Sequence, residues 1–350
     1  MKRILLLSRY GFLGASSRLR FFQFLPVLEK NGFTITVCPF FNDDCINRFY
    51  KSGKKTLFDI TTSFVRRFFI LLSAKNYDFI WLEKESFPFL PGFFEAFLHK
   101  TGIPYIIDFD DAIFHSYDAH NNRLVRSLLG KKLDYLIKHS SAVTVGNSYL
   151  AEYMLKKGAK QVEIIPTVVD IDRYNPTIES TGEEFRIGWI GTPKTSKYLH
   201  IVKDSIEKLS LKNKIRFVTV GAPLLKDFSV PLEQHDWSEE TETEILNSIN
   251  VGIMPLYNGF WEQGKCSYKL IQYMACGRAV IASPVGMNID VVKKENGLST
   301  NSSNDNWLEC FEYLIERAEE RCLMGFKNRS VVEQRYSLQA QTSRILGLFN

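Results

Sequence analysis

A lysine-rich stretch, a matching glycine–lysine loop and a cluster of aspartates hold the residues whose types and spacing point to chemistry. The first is GKCSYKLIQYMACGRAVIASPVG, Gly264 to Gly286. Lys265 and Lys269 are four apart, so on a helix they share a face, and Gln272 follows three beyond Lys269. That spacing predicts Lys269 and Gln272 pointing together while Leu270, Ile271 and Met274 pack inward. It also predicts a helix stop at Gly277, a residue free to take positive φ. A diphosphate beside Lys269 and a ribose beside Gln272 suit such a face. The alternative is a lysine face that only meets water.

Two loops repeat a simpler theme. GWIGTPKTSKYL puts Gly191, Lys194 and Lys197 after a strand, where a lysine over a helix N-terminus suits a diphosphate. RYGFLGASSRLR puts Gly11 and Gly14 before a helix, leaving backbone amides open to an anion or merely letting the chain turn. GxxG is not the dinucleotide pattern GxGxxG, and no acidic residue follows the second strand at the required place, so a Rossmann oxidoreductase is not supported. DFDDAIF sets Asp108, Asp110 and Asp111 at a strand end. Three carboxylates in four residues repel one another. Oxygen ligation of a metal, bonds to a polyhydroxyl ligand or to backbone amides, and helix capping are the available causes. His115 and His120 have no metal-binding spacing, and no dense basic stripe points to nucleic acid.

Positioning these groups takes strands that alternate with helices, the order of βαβ units and parallel sheets. Strands are predicted at Arg3–Ser8, Phe33–Pro39, Phe79–Glu83, Tyr105–Asp108, Ala142–Val145 and Val162–Ile165, with a helix over Arg18–Asn31. A proline- and aspartate-rich passage, Pro166 to Glu184, reads as a linker. The order then restarts with strands at Phe185–Ile190, Ile215–Val220, Val251–Pro255 and Ala279–Ser283, a helix over Tyr198–Leu209 and a last amphipathic helix near Leu338–Leu348. Two doubly wound domains follow, 1–170 and 171–335, with the last helix, 336–350, returning to the first. Ligands of such sheets bind beyond the carboxyl ends of the strands.

Composition fits a globular chain of 350 residues, 45% hydrophobic and 24% charged, with a net charge of +5. Six cysteines form no CxxC pair, and Cys38, Cys266 and Cys276 lie in apolar runs, so buried thiols are expected. The short apolar run in MKRILLLSRYGFLG reads as a first strand and not a signal peptide. Residues 61–80 combine Arg66, Arg67 and Lys75 with Phe64, Phe68 and Phe69. Such a helix either lies in a lipid interface or, the reading preferred from sequence, packs on a sheet with both arginines in water.

Taken in order, GFLGASSRLR, DFDDAIF, VTVGNSYLAEYM, IIPTVVDIDRYNP, GWIGTPKTSKYL and YKLIQYMACGRAVIASPVG resemble the GT-B glycosyltransferases, specifically family four of the nucleotide-sugar-dependent enzymes. The resemblance spans nearly the whole chain. It implies an α/β, GT-B architecture: two Rossmann-like domains facing across a cleft, the acceptor mainly on the first and the donor on the second. It implies that Gly14, Gly191, Lys194 or Lys197, and Lys265 serve donor binding, with Lys269 at the diphosphate and as a catalytic group. Gln272 stands where the motif keeps a ribose-binding glutamate. Asp110, with Asp111 beside it, falls where many members carry a histidine near the transferred sugar. The motif's first glutamate would fall at Gly264, and Glu262 is its nearest substitute.

The implied activity is transfer of a sugar, with retention, from a UDP- or GDP-linked donor to a glycan or lipid-linked acceptor in surface-polysaccharide or O-antigen assembly. No metal and no further cofactor are expected, since cationic side chains can take the metal's role. The implied place is the cytoplasm, with peripheral contact at the inner face of the plasma membrane. Acceptor specificity is expected in loops 40–55 and 87–100. The alternatives are a non-catalytic nucleotide-sugar sensor or scaffold, which Gly264 favours, and a sugar-nucleotide epimerase.

Overall fold

The computed structural model describes residues 1–54, 56–179, 182–300 and 304–350. Lys55, in the first predicted acceptor loop, and Ser180 and Thr181, in the predicted linker, lie outside the described residues. The chain divides into two compact units, Met1–Thr167 with Gln341–Asn350, and Val168–Ala340.

The first unit is built on a six-stranded sheet: β1 Lys2–Leu7, β2 Phe33–Val37, β3 Phe79–Glu83, β4 Tyr105–Phe109, β5 Ala142–Val145 and β6 Val162–Ile164. The order is β2-β1-β3-β4-β5-β6, and every pair is parallel. Continuous apolar runs suit a sheet covered on both faces. Ile4 to Leu7 are all 0% exposed, as are Ile80, Trp81 and Leu82. Near the C-terminus Phe349 packs edge-on against Phe33, Phe79 and Trp81, and its carbonyl accepts from Lys2 Nζ at 2.7 Å.

The second unit repeats the plan with β7 Phe185–Ile190, β8 Ile215–Val220, β9 Leu232–His235, β10 Val251–Met254, β11 Ala279–Ala282 and β12 Leu298–Ser299, in the order β12-β11-β10-β7-β8-β9, again all parallel. Its core runs from Ile187 and Trp189 through Phe217 and Ile253 to Trp307 and Phe311. In each sheet the winding reverses once, beside β1 and β3 in the first and beside β7 and β10 in the second. Crevices for ligands open at such reversals.

Several sequence expectations need correction. The helix expected over Arg18–Asn31 starts earlier and breaks, into Ala15–Arg20, a 3₁₀ turn Phe22–Phe24 and Leu25–Lys30. Pro26 explains the break, because a proline lacks the N–H and crowds the carbonyl four residues back. The helix expected over Tyr198–Leu209 is a 3₁₀ run Pro193–Ile201 followed by Lys203–Ser210. β9 and β12 were not predicted, since LEQH and LS have no apolar run. Of the three thiols expected to be buried, Cys266 and Cys276 are, but Cys38 is only half-buried, and Cys322 is exposed.

One buried ion pair ties the first unit together. Arg20, on the helix Ala15–Arg20, donates to both Asp108 oxygens at 2.8 and 2.5 Å and to Ile165 O at 2.7 Å. Thr144 of β5 donates to the same carboxylate at 2.6 Å. Asp108 is thereby occupied within the fold and is not available as a metal or sugar ligand. Removing one partner strands a buried charge. We expect Arg20→Ala to lower unfolding free energy by about 3–5 kcal/mol in urea titrations, and a loss under 1 kcal/mol would show the pair to be dispensable.

Candidate functional site

In the second unit the candidate donor residues gather at the reversal of the sheet. β7 ends in Trp189-Ile190 with Gly191 directly after it, and the helix Tyr268–Ala275 brings Lys269 over this end, with Nζ 4.0 Å from the Trp189 ring centroid. Gly191 makes this approach possible: a Cβ there would lie 2.4 Å from the Trp189 ring and 2.6 Å from Lys269 Nζ. The only hydrogen bond of the ammonium among the described residues is a long one, 3.5 Å, to Thr195 Oγ1. No carboxylate among the described residues lies within ion-pair distance. Burial, and then the neighbouring ammonium of Lys265, push the Lys269 pKa well below its ordinary value. A desolvated cation without a carboxylate is a site prepared for an anion.

Lys265 does not share the helix face predicted for it. The helix starts at Tyr268, and Ser267 before it takes a left-handed conformation, φ 51°. Lys265 instead lies 5.8 Å from the Tyr198 ring centroid, whose other neighbours include Lys197 at 5.0 Å. Tyr198 donates to Glu262 at 2.5 Å, and Glu262 is 9% exposed. Glu262 is therefore engaged beside the lysines, while Lys194 is exposed at the start of the 3₁₀ run Pro193–Ile201. The helix ends at Ala275 and Gly277 has φ 66°, as the glycine predicted.

Gln272 does not point with Lys269 on an open face. It is 3% exposed, and its amide donates to Tyr174 Oη at 3.1 Å. Tyr174 in turn donates to Glu242, which also accepts from Trp237 Nε1 at 2.5 Å. Tyr174, Glu242, Trp189 and Thr195 were missed from sequence. Trp189 left a signal, two residues before Gly191 on an apolar strand. Tyr174 and Glu242 left none, since their partners are far away in the chain.

In the first unit the same position of the sheet holds a dense charge network. Glu83 accepts from Arg9 N at 2.7 Å, Ser16 at 2.8 Å and Ser17 at 2.5 Å. Lys84 has φ 64°, a strained value for a non-glycine residue, and so turns its ammonium to Asp110 at 2.7 Å and Asp111 at 3.1 Å. The Ser16 hydroxyl also lies 2.6 Å from Asp110, so its one proton is shared between the Glu83 and Asp110 carboxyls. Burial opposes ionisation of Asp110, but Lys84 outweighs it and holds the carboxyl below its usual range. Lys84 was missed from sequence, and its ammonium lies between the two neighbouring carboxyls of Asp110 and Asp111.

Gly14 caps the six-residue helix Ala15–Arg20, and a Cβ on it would lie 2.2 Å from Tyr10 Cβ. The loop amides expected to face an external anion are partly taken: Phe12 N and Leu13 N donate to Asp43 at 3.2 and 2.9 Å. His115 binds Asp118 at 2.8 Å and Tyr149 at 2.7 Å, and His120 accepts from Asn122 N at 3.0 Å. Among the described residues no group of three or more His, Cys, Asp or Glu is placed to hold a metal ion.

Residues 184–317 match the family described as Glycosyl transferases group 1, and the segment contains Gly191, Glu262, Lys265, Lys269 and Gln272. No curated protein matches the chain. Among solved structures it is similar to a sucrose-phosphate synthase from Thermosynechococcus elongatus, at 13% identity and TM-score 0.72, over 100% of this chain and 98% of the other. It is also similar to HepE of Anabaena in complex with UDP and glucose, at 13% identity, TM-score 0.70 and 99% of both chains. A glycosyltransferase from Rickettsia africae gives 12% identity and TM-score 0.72 over 99% and 97%. At these identities the likeness shows the fold, which is the GT-B fold, and the family match bears out the group 1 resemblance over the second unit.

The Tyr174 hydroxyl has one proton, given to Glu242, and accepts one from Gln272. A glutamate at 272 would be an acceptor facing an acceptor. We expect Gln272→Glu to cost about 1–3 kcal/mol at neutral pH by thermal or urea unfolding. The buried carboxyl would have a raised folded-state pKa, so the deficit should shrink as pH falls and the group protonates. Equal stability of variant and parent at neutral pH would refute this account.

Proposed function

We propose that this protein is a group 1 glycosyltransferase that takes its sugar from a nucleotide-sugar donor. The observation that carries the reading is Lys269: an ammonium desolvated over Trp189, cleared by Gly191, and lacking a carboxylate partner among the described residues. The family match over residues 184–317 supports it. HepE of Anabaena, seen with UDP and with UDP-glucose, supports a UDP-linked donor, with a GDP-linked one as the other choice.

In this reading Lys269, with Lys265 beside it, stabilises the charge that builds on the leaving diphosphate as the glycosidic bond breaks. Gly191 and the Thr192–Lys197 loop border the diphosphate, with Lys194 and Lys197 as further cations. Gln272, bonded to Tyr174, and Glu262, bonded to Tyr198, would exchange those bonds to take the ribose and sugar contacts. Asp110 and Asp111, paired with Lys84, receive acceptor hydroxyls. Transfer proceeds with retention and without a metal, because ammonium groups take that role. The acceptor is a glycan or a lipid-linked saccharide of surface-polysaccharide or O-antigen assembly. The protein works in the cytoplasm, in contact with the inner face of the plasma membrane.

Gly264, where the motif has its first glutamate, favours a second reading, a sensor or scaffold that binds nucleotide-sugar without turnover. The two readings separate on a panel of UDP-, GDP- and dTDP-sugars analysed by mass spectrometry and NMR. Release of nucleotide and free sugar from one donor, reduced about 100-fold or more in Lys269→Ala, is the expected result. Binding without turnover, even with acceptor lipids supplied, would favour the sensor, and an epimerised sugar would mark an epimerase. No nucleotide binding at all would overturn all three.

The depressed pKa of Lys269 adds a pH signature. A diphosphate needs the ammonium form, so affinity should be greatest below that pKa and fall as pH rises through it. Calorimetry in buffers of different ionisation enthalpy should find proton uptake on binding, abolished in Lys269→Ala. Proton-neutral binding across that range would mean that Lys269 is not the diphosphate cation.

A further inference from the structure

The helix Leu57–Leu72 is inside out, the opposite of what its sequence suggests. Arg67 is enclosed and Arg66 is half-buried. Arg67 is 1% exposed and donates to Ser8 O at 2.9 Å and Cys38 O at 3.2 Å, and Arg66 donates to Pro39 O and Phe40 O at 2.6 and 2.8 Å. Asp59 and Ser63 are buried on the same side, 4% and 5% exposed. The outer side is apolar: Phe58 is 75% exposed, Val65 50%, Phe69 63% and Leu72 54%. At 100° per residue these four fall within a stripe roughly 60° wide, opposite Arg67. The arginines cap carbonyls at the ends of β1 and β2, which fixes the helix rotation and forces the phenylalanines outward.

The stripe continues onto a second helix. Phe69 meets Phe68 at 5.9 Å, Phe68 stacks on Phe97 at 5.3 Å, and Phe93, on the same helix Gly92–Lys100, is 69% exposed. A contiguous exposed aromatic ridge of this kind marks a contact surface. The exposed charge on this stretch of chain is mostly positive. From residue 43 to 139, Asp44 and Asp78 are the exposed carboxylates among the described residues, while Lys75, just after the first ridge helix, Lys100, at the end of the second, and Arg123, Lys131 and Lys138 are exposed cations. Exposed apolar residues together with exposed cations complement an anionic lipid surface.

We infer that the ridge formed by Phe58, Val65, Phe69, Leu72 and Phe93 inserts into the interfacial layer of an anionic phospholipid bilayer, with the exposed lysines at the headgroups. No helix among the described residues is long and apolar enough to cross a membrane, so the contact is one of lying on the surface. The inference deepens the proposed membrane contact and takes its purpose, reaching a lipid-linked acceptor, from that reading.

The test is co-sedimentation of the full chain with vesicles of phosphatidylglycerol and phosphatidylethanolamine, against vesicles of phosphatidylcholine alone, at about 0.1 and about 0.5 M salt. Binding to the anionic vesicles is expected to weaken at high salt, and to fall on the order of ten-fold or more in Phe58→Glu with Phe69→Glu. Both sites are exposed, and an unchanged melting temperature confirms the fold. Lys75→Glu with Lys100→Glu gives a second variant expected to lose anionic binding. Equal binding by parent and both variants, no binding by the parent, or a parent dimer that the phenylalanine variant dissolves would overturn the inference. Donor hydrolysis in free solution reads the catalytic proposal separately, so either can fail without the other.

Discussion

The cost of burying a charge organises this molecule. A parallel sheet gathers strand ends, loops and helix termini at one edge, and both units fill that edge with ionised side chains that water would otherwise solvate. The first unit compensates them internally. Asp108 is matched by Arg20, Asp110 and Asp111 by Lys84, and Glu85 by Arg9 and Lys132, the last two pairs at 2.8 and 2.6 Å. Such pairs are costly to break but add little net stability, so their value lies in fixing geometry. The second unit does not complete the same compensation: Lys269 rests on an aromatic face, which offers a cation far less than a carboxylate would. The difference separates a framework that is complete alone from one that an anion would complete.

Much of the framework was legible in the amino-acid sequence because it follows from local pattern. Apolar runs between turn formers located ten of the twelve strands to within two residues. Gly277 marked a helix end because only a residue without Cβ takes its φ cheaply. Lys269 and Gly191 were legible as candidates for the same reason, a recurring residue type at a strand or helix end. The missing parts depend on contacts between distant residues. Lys84 matters because residues 110 and 111 lie opposite it, and Tyr174 because residues 242 and 272 converge on its hydroxyl. No periodicity encodes such meetings.

The arginines of Leu57–Leu72 show a different limit. Helical periodicity tells which residues share a face but not which face turns inward. Sequence placed both arginines in water on the assumption that charge prefers solvent. Carbonyls converging at two strand ends reverse that preference, because a guanidinium can serve several acceptors at once in a fixed fork. Burying the arginines then exposes the phenylalanines without any separate cause.

Strain marks both strand-end constellations. Lys84 and Ser267 take positive φ, at 64° and 51°, one beside Asp110 and the other two residues before Lys269. Non-glycine residues enter that region only when their surroundings overdetermine it. Ser267 is held by a bond to Asn288 at 2.7 Å, and Lys84 by its two ion pairs. In each case the twist redirects the chain at the boundary of a regular element, after β3 at Lys84 and before the helix Tyr268–Ala275 at Ser267, and so decides where a lysine ammonium ends up. A relaxed backbone at either point would leave the same lysine in the sequence but carry its charge elsewhere. Position, more than composition, is what these two residues contribute.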